Sequence, residues 1–556
     1  MNRRTFLAQA GSVVGLAGIV GIVGCTALDE RFDDGSASTT TPRRTETSTA
    51  GNQVTSTADN TGTTATSPPP STDGELAAPM TCHEIHFETV LNAVDDLGMD
   101  PNGNEPIDAA LEEAYGDGTL VAFPPGQYLA RRQHEWDREV SGFGLVGLGE
   151  TNGDVQFVFP EGNRGAPDPA NYWFFKIHSG RDHLLENFTI DQTDDEVTGV
   201  GMAFYLTDGL HIQNVELAGF NPAFHHDPGF GIIAAITSRS GVGVIDGFTC
   251  TDGGVVDVYP KRKTPIGAFE PHVGELKITG AHIAESGSHS LYVSRNRGCV
   301  RVEDGLFVNN DNSNLRLSGG GHPEKRSWAK NCRILIDTDE ATTLRGGEQY
   351  QGARGIWVES GGENQYGHTD LLLENVHVTA RSNARPAVLL LHEHSHGSLT
   401  VRDSTFRSDI EGATVVDSRF PFRDWVESPY GLTLDNVTIA TTAAWTVSGY
   451  AARIAGRPGS VVRNTDINLS PADVDGLLIK NSEGARVVDV DIAAELSGPS
   501  DHRRQVPGAD IGSNVGVVIK ETEDYTIERL STRVPRQDIR LESTDLDRNA
   551  TDSDDG

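Results

Sequence analysis

A short phrase of apolar and polar positions returns along this chain: apolar, any residue, Asn or Asp, apolar, any residue, apolar. Alternation of apolar and polar residues at a period of two is the pattern of a β-strand. A polar residue that interrupts the alternation at the same place each time indicates that the strand turns a corner there. The clearest copies are Leu185–Ile190, Ile212–Leu217, Leu373–Val378 and Leu434–Ile439. Less regular copies centre on Asp246, Gly280, Asp304, Asn331, Asp403, Asn464, Asp489 and Arg529.

The recurrence of this phrase every few tens of residues is typical of a solenoid, in which each turn buries a face against the next. Leu276–Ile278 aligns with Val300–Val302, 24 residues later, and the same offset places Ser290–Ser294 on Asn314–Ser318. One gap-free offset therefore predicts that two strands of one turn lie beside two strands of the next turn. The copies from Asn187 to Arg529 predict an all-β solenoid of about twelve turns.

Ahead of the repeats the pattern changes to that of a short helix. Pro106–Tyr115 begins with proline, has acidic residues early and apolar residues at helical spacing, which predicts a capping helix. Three neighbouring segments are Asp100–Gly103, Phe123–Tyr128 and Gly144–Gly149. With this helix and the repeats, they resemble the pectate-lyase-like right-handed parallel β-helix superfamily. The resemblance covers roughly residues 85–540.

The resemblance implies a right-handed parallel β-helix with an N-terminal capping helix. Members of this superfamily are mostly polysaccharide lyases, glycoside hydrolases and epimerases, and phage tailspikes and surface adhesins also belong to it. A shared fold does not by itself assign an activity, so the site has to be argued from its own residues.

Composition and charge fit a solenoid and narrow the choice of partners. The 556 residues include 62 glycines and only 7% aromatic residues, which suits many tight turns around an aliphatic core. Lys and Arg number 45 against 80 Asp and Glu, and only eight of the cations are lysine, so the formal charge is -35. Acidic excess with scarce lysine predicts adaptation to high salt, and an ordinary acidic secreted protein is the alternative. The charge argues against a nucleic-acid partner, because a phosphate backbone needs a basic patch.

The first 25 residues are predicted to be a targeting signal and not part of the fold. Arg3 and Arg4 precede an uncharged, glycine-rich run that ends at Cys25, which resembles a twin-arginine export signal with a lipobox. A plain membrane anchor is the alternative, but five glycines in the run disfavour a spanning helix. We therefore expect an exported protein that is held at the cell surface by a lipid on Cys25.

The rest of the chain divides by composition. Residues 26–80 are rich in Ser and Thr with few apolar residues, and they are predicted to form a disordered tether. Residues 81–542 are predicted to form the β-helix domain, and residues 543–556 a disordered acidic tail.

One column of outward-facing residues carries the candidate chemistry. Stacking the second strand of successive turns makes approximate neighbours of Asp257, Tyr292, Arg316 and Trp357. Aromatic faces suit sugar rings and guanidinium groups suit carboxylates. We therefore predict a groove that binds an acidic, uronate-containing polysaccharide, with a plain solvated sheet face as the alternative. The ends of these strands and the loop that enters the Tyr292 strand add the residues Tyr259, Lys261, His289, Arg295, Arg297 and Glu359.

A lyase is one reaction type that fits these residues. It must abstract the C5 proton of the uronate and neutralise the uronate carboxylate. Lys261, Arg295 and Arg316 are the candidate bases and cations. A calcium ion is an alternative way to offset the carboxylate, and Asp257 and Glu359 would lie near it.

A glycoside hydrolase is the second reaction type, and it needs two carboxyl groups that flank the bond. The acids near these strand ends are Asp257, Glu359, Glu393 and Asp417. The sequence does not choose between lyase and hydrolase.

A histidine-rich segment, His392–His396, is the second candidate site. His392, His394 and His396 would share one face of an extended strand, which makes a metal site geometrically possible. The segment follows a strand and runs into glycine, which indicates a turn instead. In that case it lines the groove, with Glu393 as a substrate-binding residue, or has no specific role.

Four cysteines remain after Cys25, namely Cys82, Cys250, Cys299 and Cys332. Export permits disulfides, but the spacing matches no zinc signature. We expect mainly free, structural thiols.

Two function classes follow from the sequence. The first is a surface enzyme that acts on acidic polysaccharide, and the second is a non-catalytic surface glycan-binding or adhesion protein. Lysine or arginine beside carboxylates in the groove favours the first class, and a groove of aromatic and amide side chains alone favours the second.

Overall fold

The computed structural model describes residues 78–159, 173–193, 200–219, 229–254, 263–341, 352–360, 370–382, 388–395, 397–421, 430–443, 449–469, 474–494, 515–534 and 537–542. All of them lie in one structural unit, Pro68–Gly556. Several predicted site residues lie outside the described residues: Arg3, Arg4, Cys25, Asp257, Tyr259, Lys261 and His396. The predicted leader and acidic tail and nearly all of the predicted tether lie outside them as well. Within the described ranges, no helix is long and apolar enough to cross a membrane.

The N-terminal part of the described chain holds its helices and the first strands. In order they are β1 (Met80–Cys82), β2 (Ile85–Phe87), β3 (Thr89–Asn92), β4 (Asn102–Pro106), α1 (Asp108–Ala114), β5 (Thr119–Phe123), β6 (Gly126–Leu129), β7 (His134–Trp136), β8 (Ser141–Gly147), a 3-10 turn (Asn152–Asp154), β9 (Val155–Val158), β10 (Trp173–Ile177), β11 (Arg181–Asp191) and β12 (Gly201–Leu206).

The middle of the chain continues with further strands. They are β13 (Leu210–Ala218), β14 (Phe230–Ile236), β15 (Val242–Asp246), β16 (Thr249–Cys250), β17 (Thr264–Gly267), β18 (Glu275–Thr279), β19 (His282–Ala284), β20 (Leu291–Tyr292), β21 (Cys299–Glu303), β22 (Leu306–Val308), β23 (Ser313–Leu317), β24 (Trp328–Lys330), β25 (Arg333–Asp337), β26 (Arg354–Val358), β27 (Leu371–Glu374), β28 (His377–Ser382) and β29 (Leu389–Leu391).

The C-terminal turns have longer strands. They are β30 (Leu399–Ser408), β31 (Val416–Ser418), β32 (Leu432–Thr441), β33 (Gly449–Ala455), β34 (Val461–Leu469), β35 (Val474–Lys480), β36 (Arg486–Ala494), β37 (Val515–Lys520), β38 (Thr526–Arg533) and β39 (Gln537–Glu542).

Each turn contributes strand segments to three faces, and every face pairs in parallel with the same face of the next turn. The segment before the polar corner forms the first face and the segment after it forms the second face, as in β18–β21 and β19–β22. A separate strand forms the third face, which is a fourteen-stranded parallel sheet from β7 to β39. Parallel crossover connections of this kind are right-handed. The chain is therefore a right-handed parallel β-helix.

The register predicted from the offset of 24 residues is confirmed on two faces. Leu276 pairs with Val300 and Ile278 with Val302 on the first face, and Leu291 pairs with Leu315 on the third. The predicted turns have two strands, whereas the observed turns have three, because the part of the phrase after the corner forms its own face. Two further turns, which contribute β7 and β10 to the third face, precede the twelve predicted from the repeats.

The polar residue of the phrase does turn the corner. Asn187, Asn375 and Asn436 have φ of 59°, 52° and 56°, the left-handed conformation that asparagine tolerates better than most residues. At the copy centred on Asp246 the left-handed residue is instead Gly247, with φ of 64°. The predicted centre was wrong there by one residue, because glycine has no Cβ and takes this conformation without strain.

Corner side chains of adjacent turns bond to each other. Asn214 Nδ2 donates to Asn187 Oδ1 at 2.7 Å, and Asn436 Nδ2 donates to Asp403 Oδ1 at 2.6 Å. The last corner residue, Arg529, also has a positive φ, 51°, and its guanidinium binds Asp489 of the turn before. The repeated polar residue therefore sets the corner and links the turns.

The predicted capping helix is present as α1, which begins two residues later than Pro106. Leu111 and Ala114 of this helix are buried against the first turns. An antiparallel hairpin, β1 with β2, precedes it, and Ile85 and Phe87 of the hairpin pack on the outer side of the first face. The interior of the turns is a continuous aliphatic and aromatic core.

Cys82, Cys299 and Cys332 are free thiols. Cys250, Cys299 and Cys332 are buried, and Cys82 is half-buried on the hairpin. Burial raises the pKa of Cys332 to about 12, so this thiol is an inert part of the core.

Candidate functional site

The third face brings together three of the predicted site residues. Tyr292 of β20 pairs with Arg316 of β23, and Arg316 pairs with Trp357 of β26. Leu291 and Leu315, which precede the first two of these residues, belong to the core. Because side chains alternate along a strand, Tyr292, Arg316 and Trp357 share the outer side of this face, as the repeat predicted.

These three side chains are buried and do not line an open groove. Their exposed fractions are 4%, 5% and 8%. The Arg316 guanidinium lies between the two rings, with Cζ 4.3 Å from the Tyr292 centroid and 4.4 Å from the Trp357 centroid. A cation over an aromatic face gains most when both are removed from water. The rings therefore hold an arginine in place.

Glu359 and His289 complete the binding of Arg316. The Arg316 Nε donates to Glu359 Oε1 at 2.9 Å, and Nη2 donates to the same oxygen. The Arg316 Nη1 lies 2.9 Å from His289 Nε2. Arginine has donors only, so Nε2 accepts this bond and the hydrogen of His289 is on Nδ1. Nδ1 then donates to Ser313 Oγ at 2.7 Å, so neither ring nitrogen of His289 is left to act as a base.

Glu359 is fully buried and ionised. Burial by itself raises the pKa of its carboxyl group, but the guanidinium groups of Arg316 and Arg295 outweigh burial and lower the pKa to about 2. Arg295 Nε lies 3.5 Å from Glu359 Oε1, and Ser294 Oγ donates to the same oxygen at 3.3 Å. The other oxygen, Oε2, accepts no hydrogen bond from the described residues.

Among the described residues, more guanidinium groups than carboxylates lie at this site. Arg295 and Arg316 share Glu359, and Arg354 adds a third guanidinium, 4.9 Å from the Trp357 centroid. Arg295 is the more accessible of the two arginines on Glu359, with 26% of its side chain exposed against 6% for Arg316. We call Tyr292, Arg295, Arg316, Trp357 and Glu359 the arginine cluster.

Arg297 lies at the end of the same strand column, but its side chain does not contact the arginine cluster. Its side chain is 58% exposed and lies 3.8 Å from Glu270. The structure therefore separates the two arginines that the sequence placed together, and only Arg295 contacts the arginine cluster.

The histidine-rich segment packs beside the arginine cluster as a turn. Strand β29 ends at Leu391, and the Ser395 amide donates to the His392 carbonyl at 3.0 Å. The His392 ring lies 5.3 Å from the Trp357 ring, and burial lowers the pKa of His392 to about 3. Of the two alternatives, the described part of the segment fits the turn and not the extended strand, because the chain turns after Leu391.

Glu393 lies on this turn with a quarter of its side chain exposed, and its nearest described ion-pair partner is His394, at 4.0 Å. Asp417 lies farther along the third face, since Trp357 pairs with Leu390 and Leu390 with Asp417. Asp417 is held by Arg453 at 2.7 Å and by Arg419 at 3.6 Å. Neither acid bonds to the arginine cluster.

Asp257, which the sequence places with Glu359 near a calcium ion, lies outside the described residues. Calcium takes six to eight oxygen ligands, whereas Oε1 of Glu359 is already bound by arginines. Across the described ranges, no three His, Cys, Asp or Glu side chains converge so that they could hold a metal ion. The groups that offset negative charge here are guanidinium groups.

Sequence reasoning missed several members of this site. Ser294, Ser313 and Arg354 contact it, and each lies within three residues of a residue that was predicted. The signal for Ser294 and Ser313 was the 24-residue offset between two turns, whereas Arg354 pairs with Ser313 across a longer turn that this offset does not cover. A fourth, Arg457, belongs to a later turn and had no sequence signal.

No family model and no curated protein sequence matches the chain. Among solved structures, the chain is similar to the Dettilon tailspike protein, with a TM-score of 0.43 and 12% identity over 68% of this chain and 66% of that one. It is similar to PfbA, a surface adhesin of Streptococcus pneumoniae, with a TM-score of 0.39 and 14% identity over 73% and 90%. It is also similar to pectate lyase Pel9A, with a TM-score of 0.36 and 13% identity over 66% and 78%. These likenesses are too distant to transfer an activity.

Proposed function

We propose that this protein binds an acidic, uronate-containing polysaccharide at the arginine cluster and cleaves it as a lyase. The observation that carries the proposal is that two guanidinium groups converge on one carboxylate, Glu359. Guanidinium groups bind carboxylates through charge-assisted hydrogen bonds, and low exposure strengthens these bonds. The formal charge of the whole chain is -35, so a site rich in arginine differs from the chain as a whole.

Arg295 is the residue that we assign to the uronate carboxylate. It is the more exposed partner of Glu359, and its guanidinium offers the planar fork that carboxylates bind. Arg316 has its Nε, Nη1 and Nη2 directed at Glu359 and His289, so it holds the site and has a smaller part in contacting the polymer. Lys261 is the remaining candidate for the base that removes the C5 proton, and it lies outside the described residues.

Two orphan polar atoms support a ligand rich in hydroxyl groups. Among the described residues, Glu359 Oε2 has no donor and Trp357 Nε1 has no acceptor, although both are buried. Buried polar atoms without partners are rare and costly. A sugar hydroxyl both donates and accepts, so it suits these two atoms.

The hydrolase alternative is less well supported. A general acid must carry a proton at working pH, whereas Glu359 is ionised because its pKa is lowered to about 2. Asp417 is bound by two arginines. This leaves Glu393 and Asp257 as the pair that would flank a bond.

A non-catalytic adhesion protein is the second candidate function. The observation in its favour is the burial of Tyr292, Arg316 and Trp357, which suits a structural centre as well as an active site. In both proposals the protein is exported through the signal that contains Arg3 and Arg4. In both, a lipid on Cys25 holds it at the cell surface.

The deciding experiment is incubation of the protein at high salt with pectate and alginate. A lyase produces unsaturated uronates, which are followed by ultraviolet absorbance, and retention on the immobilised glycan measures binding. We expect Arg295→Gln to weaken binding at least about tenfold, a loss of ~1.4 kcal/mol. Arg333→Gln is the matched control, because Arg333 is exposed on the second face and the charge change is the same. Retention without products supports the adhesion protein, and neither retention nor products contradicts both proposals.

A further inference from the structure

Arg457 is a buried arginine in the loop that follows β33. It is completely buried, and it comes directly after Gly456, which has a left-handed φ of 65°. Burial lowers the pKa of its guanidinium to about 9, so the side chain remains a cation at neutral pH. A buried cation is costly unless a counter-ion or several hydrogen bonds offset the loss of water.

The partners of Arg457 are main-chain carbonyl groups. Nη2 donates to the His392 carbonyl at 2.9 Å. Nη1 donates to the carbonyl groups of Ser395 and Tyr430, each at 3.3 Å. Within the described residues, all hydrogen bonds of this guanidinium go to carbonyl groups and none to a carboxylate, and its Nε has no acceptor. An apolar side chain would avoid this cost, so stability alone is a weak reason for an arginine here.

Two of the three carbonyl groups belong to the turn His392–Ser395, which lies against the arginine cluster. The His392 amide donates to the Val358 carbonyl at 2.9 Å, and the Ser360 amide donates to the His394 carbonyl at 3.0 Å. These bonds tie the turn to the strand that carries Trp357 and to the residues on either side of Glu359. The guanidinium of Arg457 fixes the opposite side of the same turn.

We propose that Arg457 is a positioning residue that fixes the turn His392–Ser395 against Trp357 and Glu359 and so sets one wall of the glycan site. The proposal rests on the function proposed above. Arginine suits the role because its rigid planar fork reaches carbonyl groups in different directions. A lysine has one nitrogen and cannot span the same three acceptors.

The test compares Arg457→Met and Arg457→Lys with the control Arg486→Met in the full chain. Arg486 is exposed at the start of β36 on the first face, so its replacement makes the same chemical change away from the turn. Amide exchange is followed by mass spectrometry in the peptide that spans residues 388–395. Affinity is measured with oligouronates of pectate and alginate.

We expect Arg457→Met to exchange at least about tenfold faster at residues 392–395 and to bind oligouronates at least about tenfold more weakly, because the turn opens locally. Arg457→Lys should restore part of both properties, and Arg486→Met should change neither. If Arg457→Met does not fold, Arg457→Lys alone tests the proposal, through amide exchange at residues 392–395 and affinity for oligouronates.

Two outcomes would overturn the proposal. One is a folded Arg457→Met protein with unchanged exchange at the turn. The other is faster exchange spread evenly over all peptides, which would show a general loss of stability. The proposed function fails separately: a wild-type protein that binds no acidic glycan contradicts that function, while the exchange result still decides whether Arg457 fixes the turn.

Discussion

On the first face, exposed arginines bind carboxylates of the preceding turn, as Arg402 does with Glu374 and Arg463 with Asp435. About half of each arginine side chain is exposed. On the third face, Arg316 and Arg295 share the single carboxylate of Glu359, which is completely buried. The same two chemical groups therefore form an exposed ladder in one region and a charged cluster with an excess of arginine in the other.

The difference separates a structural from a functional use of arginine. Exposed pairs contribute little each and can be repeated wherever two turns meet, since water already solvates both charges. A buried cluster loses that solvation and is retained only where its geometry is well satisfied or where it serves another purpose. In the arginine cluster the shared carboxylate is completely buried and one of its oxygens accepts no hydrogen bond from the described residues, which is why we propose the function there.

The largest expected effect is the loss of the buried pair. Arg316→Met leaves Glu359 buried with Arg295 and Ser294 as its remaining partners among the described residues, so we expect the free energy of unfolding to fall by about 3–5 kcal/mol. Urea unfolding measures the change. The double variant Arg316→Met with Glu359→Met removes both charges and should recover much of the loss. A double variant as unstable as the single one would show that packing, and not the unpaired charge, accounts for the effect.

The second effect is a dependence of stability on pH. The pKa of Glu359 is lower in the folded protein, about 2, than its value of ~4.3 in the unfolded chain. Its contribution is therefore present above the unfolded pKa and is lost as pH falls toward the folded pKa. Integration of the shift gives a loss on the order of 3 kcal/mol.

Glu359→Gln isolates this contribution from that of the other acidic residues. Wild type should lose more unfolding free energy than Glu359→Gln between about pH 5 and pH 2, because glutamine does not titrate. Parallel pH profiles for the two proteins would mean that the arginines do not lower the pKa of Glu359 in the folded state.

The comparison also shows how far the sequence alone can lead. The corner residues, such as Asn375 and Asn436, could be predicted from the residue types. Asparagine tolerates the left-handed conformation, and the strands around it alternate apolar and polar residues. The alignment of Tyr292 with Arg316 followed from one offset between two turns of equal length. Both features belong to the backbone repeat, and this repeat can be recognised from the order of residue types along the chain.

The parts that could not be predicted depend on side-chain burial and on turns of unequal length. Nothing in the residues around Tyr292, Arg316 and Trp357 says that the outer side of the third face is buried, since the same types also suit a solvated sheet. Arg457 binds carbonyl groups 62 and 65 residues before it, so no fixed offset of the repeat links it to the turn His392–Ser395. Asp246 was placed one residue from the true corner because its neighbour is a glycine.

The smallest expected effect belongs to the exposed ladder. Arg402→Met removes the partner of Glu374, but Lys330 lies 3.7 Å from the same carboxylate and water reaches all three groups. We expect a loss of a few tenths of a kcal/mol at low salt and less at molar salt, where the Debye length falls to about 3 Å. Urea unfolding at both salt concentrations measures it, with Arg316→Met as the reference, whose loss should persist at high salt because the cluster is buried. A large, salt-independent loss for Arg402→Met would remove the distinction between the ladder and the arginine cluster.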